Sequence, residues 1–348
     1  MRLFRASVPL WAFAVAAIAI ETELVRVSER QQKFAAELAS EFQELKKANA
    51  KVAIKPDGWL FFAPEFRLLS TAKFWAEHAR EVAPTRKPDE ADPAAAIIDF
   101  CNQLKQRGIG LLLVPVPPKA AIYPDKALPD FDLHGENTAP YLTRFYDELR
   151  ANGVEIVDLA PLLVRERESD RGPVFCKTDT HWSGNGCVLA AQEIAARIKM
   201  SSQPRREYVP TWKQVEFTGD LVTLLPPDAP KPAPEKIFVR VVNDKSDGAP
   251  VLPNPDSPVL LLGDSHTLVY HDFLTKGAGL VDELTYELGF APDLIGTRGS
   301  GATAVRIDLY RRSRKDPGYL AKKKMIVWCF SAREFTEADA WARIPVSK

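Results

Sequence analysis

The sequence predicts an α/β fold with a mainly parallel central sheet and helices on both of its faces. Three observations carry this. Strand-length runs recur at 109–117 ("IGLLLVPVP"), 258–265 ("PVLLLGDS") and 324–332 ("KMIVWCFSA"), and they are continuously apolar rather than alternating. Such runs mark strands covered on both sides. Stretches of helical periodicity separate them, as expected for strand–helix–strand units. The composition, 46% apolar and 26% charged over 348 residues, is that of a globular chain able to bury one large core or two smaller ones.

The elements follow in order. Arg2 and Arg5 precede the apolar run "ASVPLWAFAVAAIAI", which ends at Glu21. This pattern predicts a signal peptide or membrane anchor over 1–21. The run is shorter than the ~20 residues that comfortably span a bilayer, so cleaved signal and retained anchor both stay open. In either case the arginines remain cytoplasmic and the rest of the chain is exported. Residues 22–56 contain "TELVRVSERQQKFAAELASEFQELKKANA", free of glycine and proline, which predicts a long amphipathic helix acting as a stalk or lid.

The main domain is expected over 57–348. "DGWLFF" at 57–62 reads as a turn into a short strand. Ala94–Arg107 has helical periodicity and stops at Gly108. A helix is expected over 138–151, a strand over 154–160 and a helix over 188–198. Residues 201–257 break the rhythm with proline and polar residues and two short strand-like pieces, and read as an insertion. The pattern resumes with the strand at 258, a helix from about 267, the turn "GTRGSGA" at 296–302, a helix to about 313 and the last strand.

Charge excludes one class of function. Lys plus Arg equals Asp plus Glu at 46 each, so no net field draws the chain to nucleic acid. The four cysteines lie in a chain expected to be exported, where disulfides are permitted. Cys101 and Cys329 fall in apolar contexts that read as core thiols. Cys176 and Cys187 bracket "CKTDTHWSGNGC" and are candidates for a bridge worth on the order of 3 kcal/mol.

Two stretches carry the residue types of nucleophilic catalysis. "VLLLGDSHT" at 259–267 sets Ser265 at the carboxyl end of a buried strand, where open α/β sheets bind ligands. Gly263 permits the tight turn, and the Ser265 amide near a helix start favours a developing oxyanion. Asp264 and Ser265 also suit a simple helix cap. A serine hydroxyl needs a base, and that base needs an orienting group. Of the five histidines, His181 has a carboxylate, Asp179, two residues away in a loop after "PVF". The alternative is that Asp179, Thr180 and Ser183 cap a helix beginning near 184 and His181 is merely exposed. Lys119 and Tyr123 in "PPKAAIYP" follow a strand and suit either a cleft contacting an anionic sugar or a snorkelling lysine beside a half-buried tyrosine.

The chain resembles the alginate O-acetyltransferase AlgX/AlgJ family. The matching stretches are "DGWLFF", "VPVPPKAAIYP" (114–124), "TDTHWSGNG" (178–186), "TGDL" (218–221), "LLGDSH" (261–266) and "WCFSAREF" (328–335), in the family's order. The resemblance implies a three-layer SGNH-hydrolase-like domain with Ser265 as nucleophile, His181 as general base and Asp179 as its orienting partner. It also implies acetyl transfer to an exported polysaccharide in the periplasm, with no metal or bound cofactor. The acetyl donor would come from a membrane-bound O-acyltransferase partner. A polysaccharide acetylesterase and a non-catalytic carbohydrate-binding scaffold are the alternatives. Two departures stand out. No Gly-x-Asn-Asp block is present, which leaves Gly299 and Arg333 as candidates for oxyanion or substrate contacts, and His266 replaces the aromatic residue expected beside the serine.

Overall fold

The structure is a computed structural model that describes residues 27–200, 203–299 and 301–347. The signal or anchor expected over 1–21 lies outside these residues. Among the described residues, no helix is long and apolar enough to cross a membrane.

Nine strands are labelled β1 (Val52–Ile54), β2 (Leu60–Phe62), β3 (Gly110–Val116), β4 (Glu155–Ile156), β5 (Tyr208–Phe217), β6 (Glu235–Asp244), β7 (Val259–Gly263), β8 (Asp293–Gly296) and β9 (Met325–Ser331). The helices of eight or more residues are α1 (Glu29–Lys47), α2 (Ala63–Ser70), α3 (Pro93–Lys105), α4 (Pro140–Ala151), α5 (Gly184–Arg197), α6 (Leu280–Leu288) and α7 (Ala304–Lys315).

The central sheet has the order β4-β3-β9-β7-β8, with every pairing parallel. The last strand of the chain is thus its middle strand. Side chains alternate between two cores, as the pleat requires. Leu112, Val114, Leu261, Val327 and Cys329 face one. Leu111, Leu113, Leu260, Leu262, Ile326 and Trp328 face the other. The first core is covered by α1, α2, α5, α6 and β6, and the second by α3, α4 and α7. This is the three-layer α/β fold.

α1 has a local reason to start and a tertiary reason to persist. Ser28 caps it in a capping box with Gln31, and Phe34 and Leu38 are buried in the first core. Within the stretch 201–257 the two strand-like pieces expected pair as an antiparallel β5–β6 ladder, ten residues per strand and so longer than the sequence suggested, with a short helix at Asp220–Thr223 between them. Exposed polar residues on β5 disguise its full length in the sequence. A second difference follows Ser265: the helix expected from 267 lasts only over Ser265–Leu268. Tyr270 and Leu274 then adopt left-handed backbone (φ 65° and 64°), and the chain loops before α6 begins. The Tyr270 hydroxyl, donating to the Trp182 carbonyl at 2.8 Å, ties that loop down.

Candidate active site

The carboxyl ends of β3, β7 and β9 lie side by side, so the loops that leave them converge. At the end of β7 the chain must pass close to β9. A Cβ at Gly263 would collide with the Cys329 carbonyl, so only glycine fits there. Asp264 then caps the short helix, accepting the His266 amide at 2.8 Å, and its other oxygen accepts the Ser331 amide at 2.7 Å. Capping by Asp264 and presentation of Ser265 therefore coexist. Ser265 stands at the first helical position, 8% exposed.

The second loop comes between β4 and α5. Ser183 caps α5, accepting the Gly186 amide at 3.2 Å, and the residues just before it carry Asp179 and His181. His181 Nε2 lies 2.8 Å from Ser265 Oγ. His181 Nδ1 lies 2.5 Å from Asp179 Oδ1, and Asp179 Oδ2 accepts the Asp220 amide at 2.8 Å. All three side chains are almost fully buried. An alcohol, an imidazole and a carboxylate are thus in line, the order in which a hydroxyl proton can pass to an oriented base.

The electrostatics favour that polarity. Burial alone would raise the Asp179 carboxyl, but the His181 charge and hydrogen bond outweigh it and hold it at about 2. Burial lowers the His181 imidazole, yet Asp179, Asp220 and Asp264 together leave it above the ordinary histidine value. Asp179, His181 and Asp220 each offer a ligand atom within 4.8 Å of one another, the compact cation-binding type of grouping. The Asp179 and His181 atoms already serve the hydrogen bonds just described.

Several clamps hold the histidine loop. Asp220 accepts the Thr180 amide at 2.8 Å and hydroxyl at 2.6 Å. Glu235, the first residue of β6, accepts the amides of Lys177 and Thr178 at 2.8 and 3.0 Å. Neither acid was singled out by residue type alone, though Asp220 sits in the "TGDL" stretch. From below, Lys119 Nζ donates to the carbonyls of Cys176, Lys177 and Asp179 at 3.0, 3.1 and 2.8 Å.

The remaining sequence candidates separate. Lys119 is fully buried beneath the loop, which corrects the expectation of a cleft lysine contacting a sugar: all three donors of its ammonium are consumed by backbone. Tyr123 is also buried, its hydroxyl accepting the Val174 amide at 3.0 Å, and it braces the same loop rather than lining a cleft. Gly299 is exposed in its turn, with φ 87°. Gly301, not Gly299, abuts the nucleophile loop: a Cβ there would sit 2.6 Å from Asp264 Cβ. Arg333 is half-buried after β9, donates to Ser331 Oγ at 2.9 Å, and lies close enough for its charge to depress Asp264 and His266. Cys176 and Cys187, the candidates for a bridge, form none. Both thiols are free and buried, with Cys176 Sγ against the Tyr270 hydroxyl at 3.3 Å and Cys187 inside α5. The loop is clamped by hydrogen bonds instead.

A parallel five-stranded sheet with this constellation at its carboxyl edge defines an SGNH-hydrolase-like domain. Residues 52–291 match the family described as SGNH hydrolase-like domain, acetyltransferase AlgX, and the chain belongs to that family. It is 31% identical over 212 residues to "Probable alginate O-acetylase AlgJ" of Pseudomonas aeruginosa, covering 58% of this chain and 48% of the relative. It is 26% identical over 247 residues to the protein of the same name from Pseudomonas syringae pv. tomato, covering 66% and 57%. The chain thus spans about half the length of these curated relatives. In fold it is similar to the "O-Acetyltransferase Domain of Pseudomonas putida AlgJ", with TM-score 0.62 at 23% identity, over 82% of this chain and 92% of that one. It is also similar to Pseudomonas aeruginosa AlgX, with TM-score 0.62 at 14% identity, over 85% and 67%.

Proposed function

We propose that the protein is an exported O-acetyltransferase that passes an acetyl group through Ser265 to hydroxyls of a polysaccharide. The observation that carries this reading is the 2.8 Å approach of His181 Nε2 to Ser265 Oγ, backed by Asp179 on the other ring nitrogen. In the first half-reaction Ser265 Oγ attacks the donor's acetyl carbonyl while His181 takes the hydroxyl proton. The leaving group then departs with that proton, leaving an acetyl ester on Ser265. In the second, a sugar hydroxyl gives its proton to His181 and attacks the ester, and the proton returns to Ser265.

Each tetrahedral oxyanion needs preorganised donors. The Ser265 amide suits this role, since the first residue of a helix has no carbonyl one turn back to bond. Gly301, packed on Asp264, is the candidate for the second donor in preference to Gly299, which packs on nothing. Arg333 contributes a nearby positive charge. Asp179 keeps His181 in one tautomer and stabilises the imidazolium.

The names of the relatives support an alginate-like acceptor, and the arginine-flanked run at 2–20 supports periplasmic export with contact to the membrane. The donor acetyl group then reaches the site from a membrane-bound O-acyltransferase partner. Incubation with a small activated acetyl ester followed by mass spectrometry tests the chemistry. An adduct on Ser265 that disappears in His181→Ala is the expected result, and its absence in the unaltered protein would overturn the reading. Release of free acetate with no transfer to polysaccharide would assign the same triad to an esterase.

A further inference from the structure

The β5–β6 ladder has a second surface that the triad does not use. Its register sets Trp212 opposite Arg240 and Gln214 opposite Phe238, so Trp212, Phe238 and Arg240 share one face. Large aromatics on a soluble protein are usually covered, yet Trp212 is 44% and Phe238 55% exposed. Both line an open groove of about 500 Å³ between the ladder and α5.

The polar groups around these rings are of two kinds. Arg240 is fixed: it donates to Glu283 Oε2 at 2.8 Å and Glu287 Oε1 at 3.0 Å, and its guanidinium lies 4.7 Å from the centre of the Tyr286 ring. It forms a rigid wall. Asp170, Arg171 and Gln192 also line the groove, and their side chains make no hydrogen bond or ion pair among the described residues. An amide, a carboxylate and a guanidinium thus stand free beside two bare aromatic faces. A sugar ring matches that set, offering an apolar face of C–H groups to the rings and hydroxyls to the polar side chains.

The groove is tied to the active site through two elements. α5 begins two residues after Trp182 and contributes Val188 and Gln192 to the groove, about 6–12 Å along its axis at 1.5 Å per residue. β6 begins at Glu235, which holds the histidine loop, and Phe238 follows roughly 10 Å further on. Gly184, at the start of α5, packs directly on the Phe238–Val239 backbone. The groove therefore sits within one short stretch of polymer from Ser265.

We infer that this groove is a glycan subsite, in which Trp212 and Phe238 stack sugars of the acceptor chain while another part of that chain reaches Ser265. The identity of the ligand as acceptor rests on the proposed transferase function; the subsite itself rests on the groove. Arg240 is already paired with Glu283 and Glu287, and the free Arg171 and Asp170 balance one another, so the lining selects sugar rings rather than a net charge. An alginate-like polymer without acetyl groups is the probe, because that is the acceptor of the proposed function.

The experiment uses the full chain and its Trp212→Ala/Phe238→Ala double variant. Both side chains are exposed, so the fold should tolerate their loss, and an unchanged thermal transition checks this. Binding of de-acetylated alginate is measured by calorimetry, in parallel with turnover of a small acetyl ester. The expected result is affinity for the polymer weakened about tenfold, which corresponds to roughly 1.4 kcal/mol, with small-ester turnover unchanged. Equal affinity in variant and unaltered protein, or no binding by either, would overturn the subsite. Capture of a protein by the groove, with glycan affinity unchanged, would reassign it as a protein interface. Loss of small-ester turnover in the unaltered protein would instead count against the transferase reading alone.

Discussion

The tripeptides Asp179-Thr180-His181 and Asp264-Ser265-His266 have the same spacing and bond in the same way, yet their imidazoles differ in opposite senses. In each, the aspartate accepts the backbone amide of its histidine and approaches Nδ1, at 2.5 Å in the first and 3.2 Å in the second. The two rings lie 4.8 Å apart, centre to centre. Burial lowers both. His181 rises above the ordinary value because Asp179, Asp220 and Asp264 all face it. His266 falls below it because burial is offset by Asp264 alone, and the positive charges of His181 and Arg333 add to the lowering. The lesson is that an Asp-x-His pattern does not by itself make a base; the surrounding charges decide which ring can take a proton.

The largest expected effect breaks this comparison directly. His181→Ala should reduce small-ester turnover on the order of 10⁴-fold or more, as removal of a triad base does. His266→Phe keeps a ring against Trp182, which His266 meets edge to face at 5.4 Å, and should remain within about tenfold of the unaltered rate. If the two variants lose activity equally, the assignment of His181 as sole base is wrong.

Much of this arrangement was legible in the sequence. The continuous apolar runs read correctly as β3, β7 and β9, because a strand buried on both faces has no polar alternation to hide it. Ser265 at a strand end and the spacing of Asp179 and His181 were visible as motifs. The clamps were not. Glu235 and Asp220 act on the histidine loop from 40 to 58 residues away, and nothing local marks an acid as a loop anchor. Lys119 was misread because a lysine after a strand is ordinarily at the surface; its burial becomes intelligible only once three loop carbonyls are seen to need donors. Likewise, two cysteines bracketing a loop suggest a bridge, whereas their depth in the core makes each a packing group. The full length of β5 was obscured by its exposed, polar-rich face, and the short helix after Ser265 by the unusual backbone of Tyr270.

A smaller effect sharpens the role of the first pair. Asp179→Asn removes the charge that lifts His181, leaving Asp220 Oδ2 at 3.8 Å as the nearest carboxylate. The acid limb of the pH–rate profile reports the base losing its proton, so it lies above the ordinary histidine value of about 6.5 in the unaltered protein. In the variant that limb should move to lower pH, while the maximal rate falls on the order of 10³–10⁴-fold because the tautomer is no longer fixed. A limb that stays in place would show that Asp179 does not set the basicity of His181.

The smallest effect is thermodynamic and separates the two pairs by sign. His181, whose folded value is raised, binds a proton more readily folded than unfolded. Its stabilisation is complete below about pH 6.5 and fades as pH rises through the higher folded value. His266, whose folded value is lowered, binds its proton more readily when unfolded. Stability therefore falls as pH drops from about 6.5 towards its folded value. His266→Phe removes only the second contribution. Denaturant unfolding at pH 7.5 and 5.5, in roughly this window, should show the variant losing less stability on acidification than the unaltered protein. An equal loss in both proteins would mean that the Asp264 carboxylate holds His266 charged after all, and the contrast between the two rings would fail.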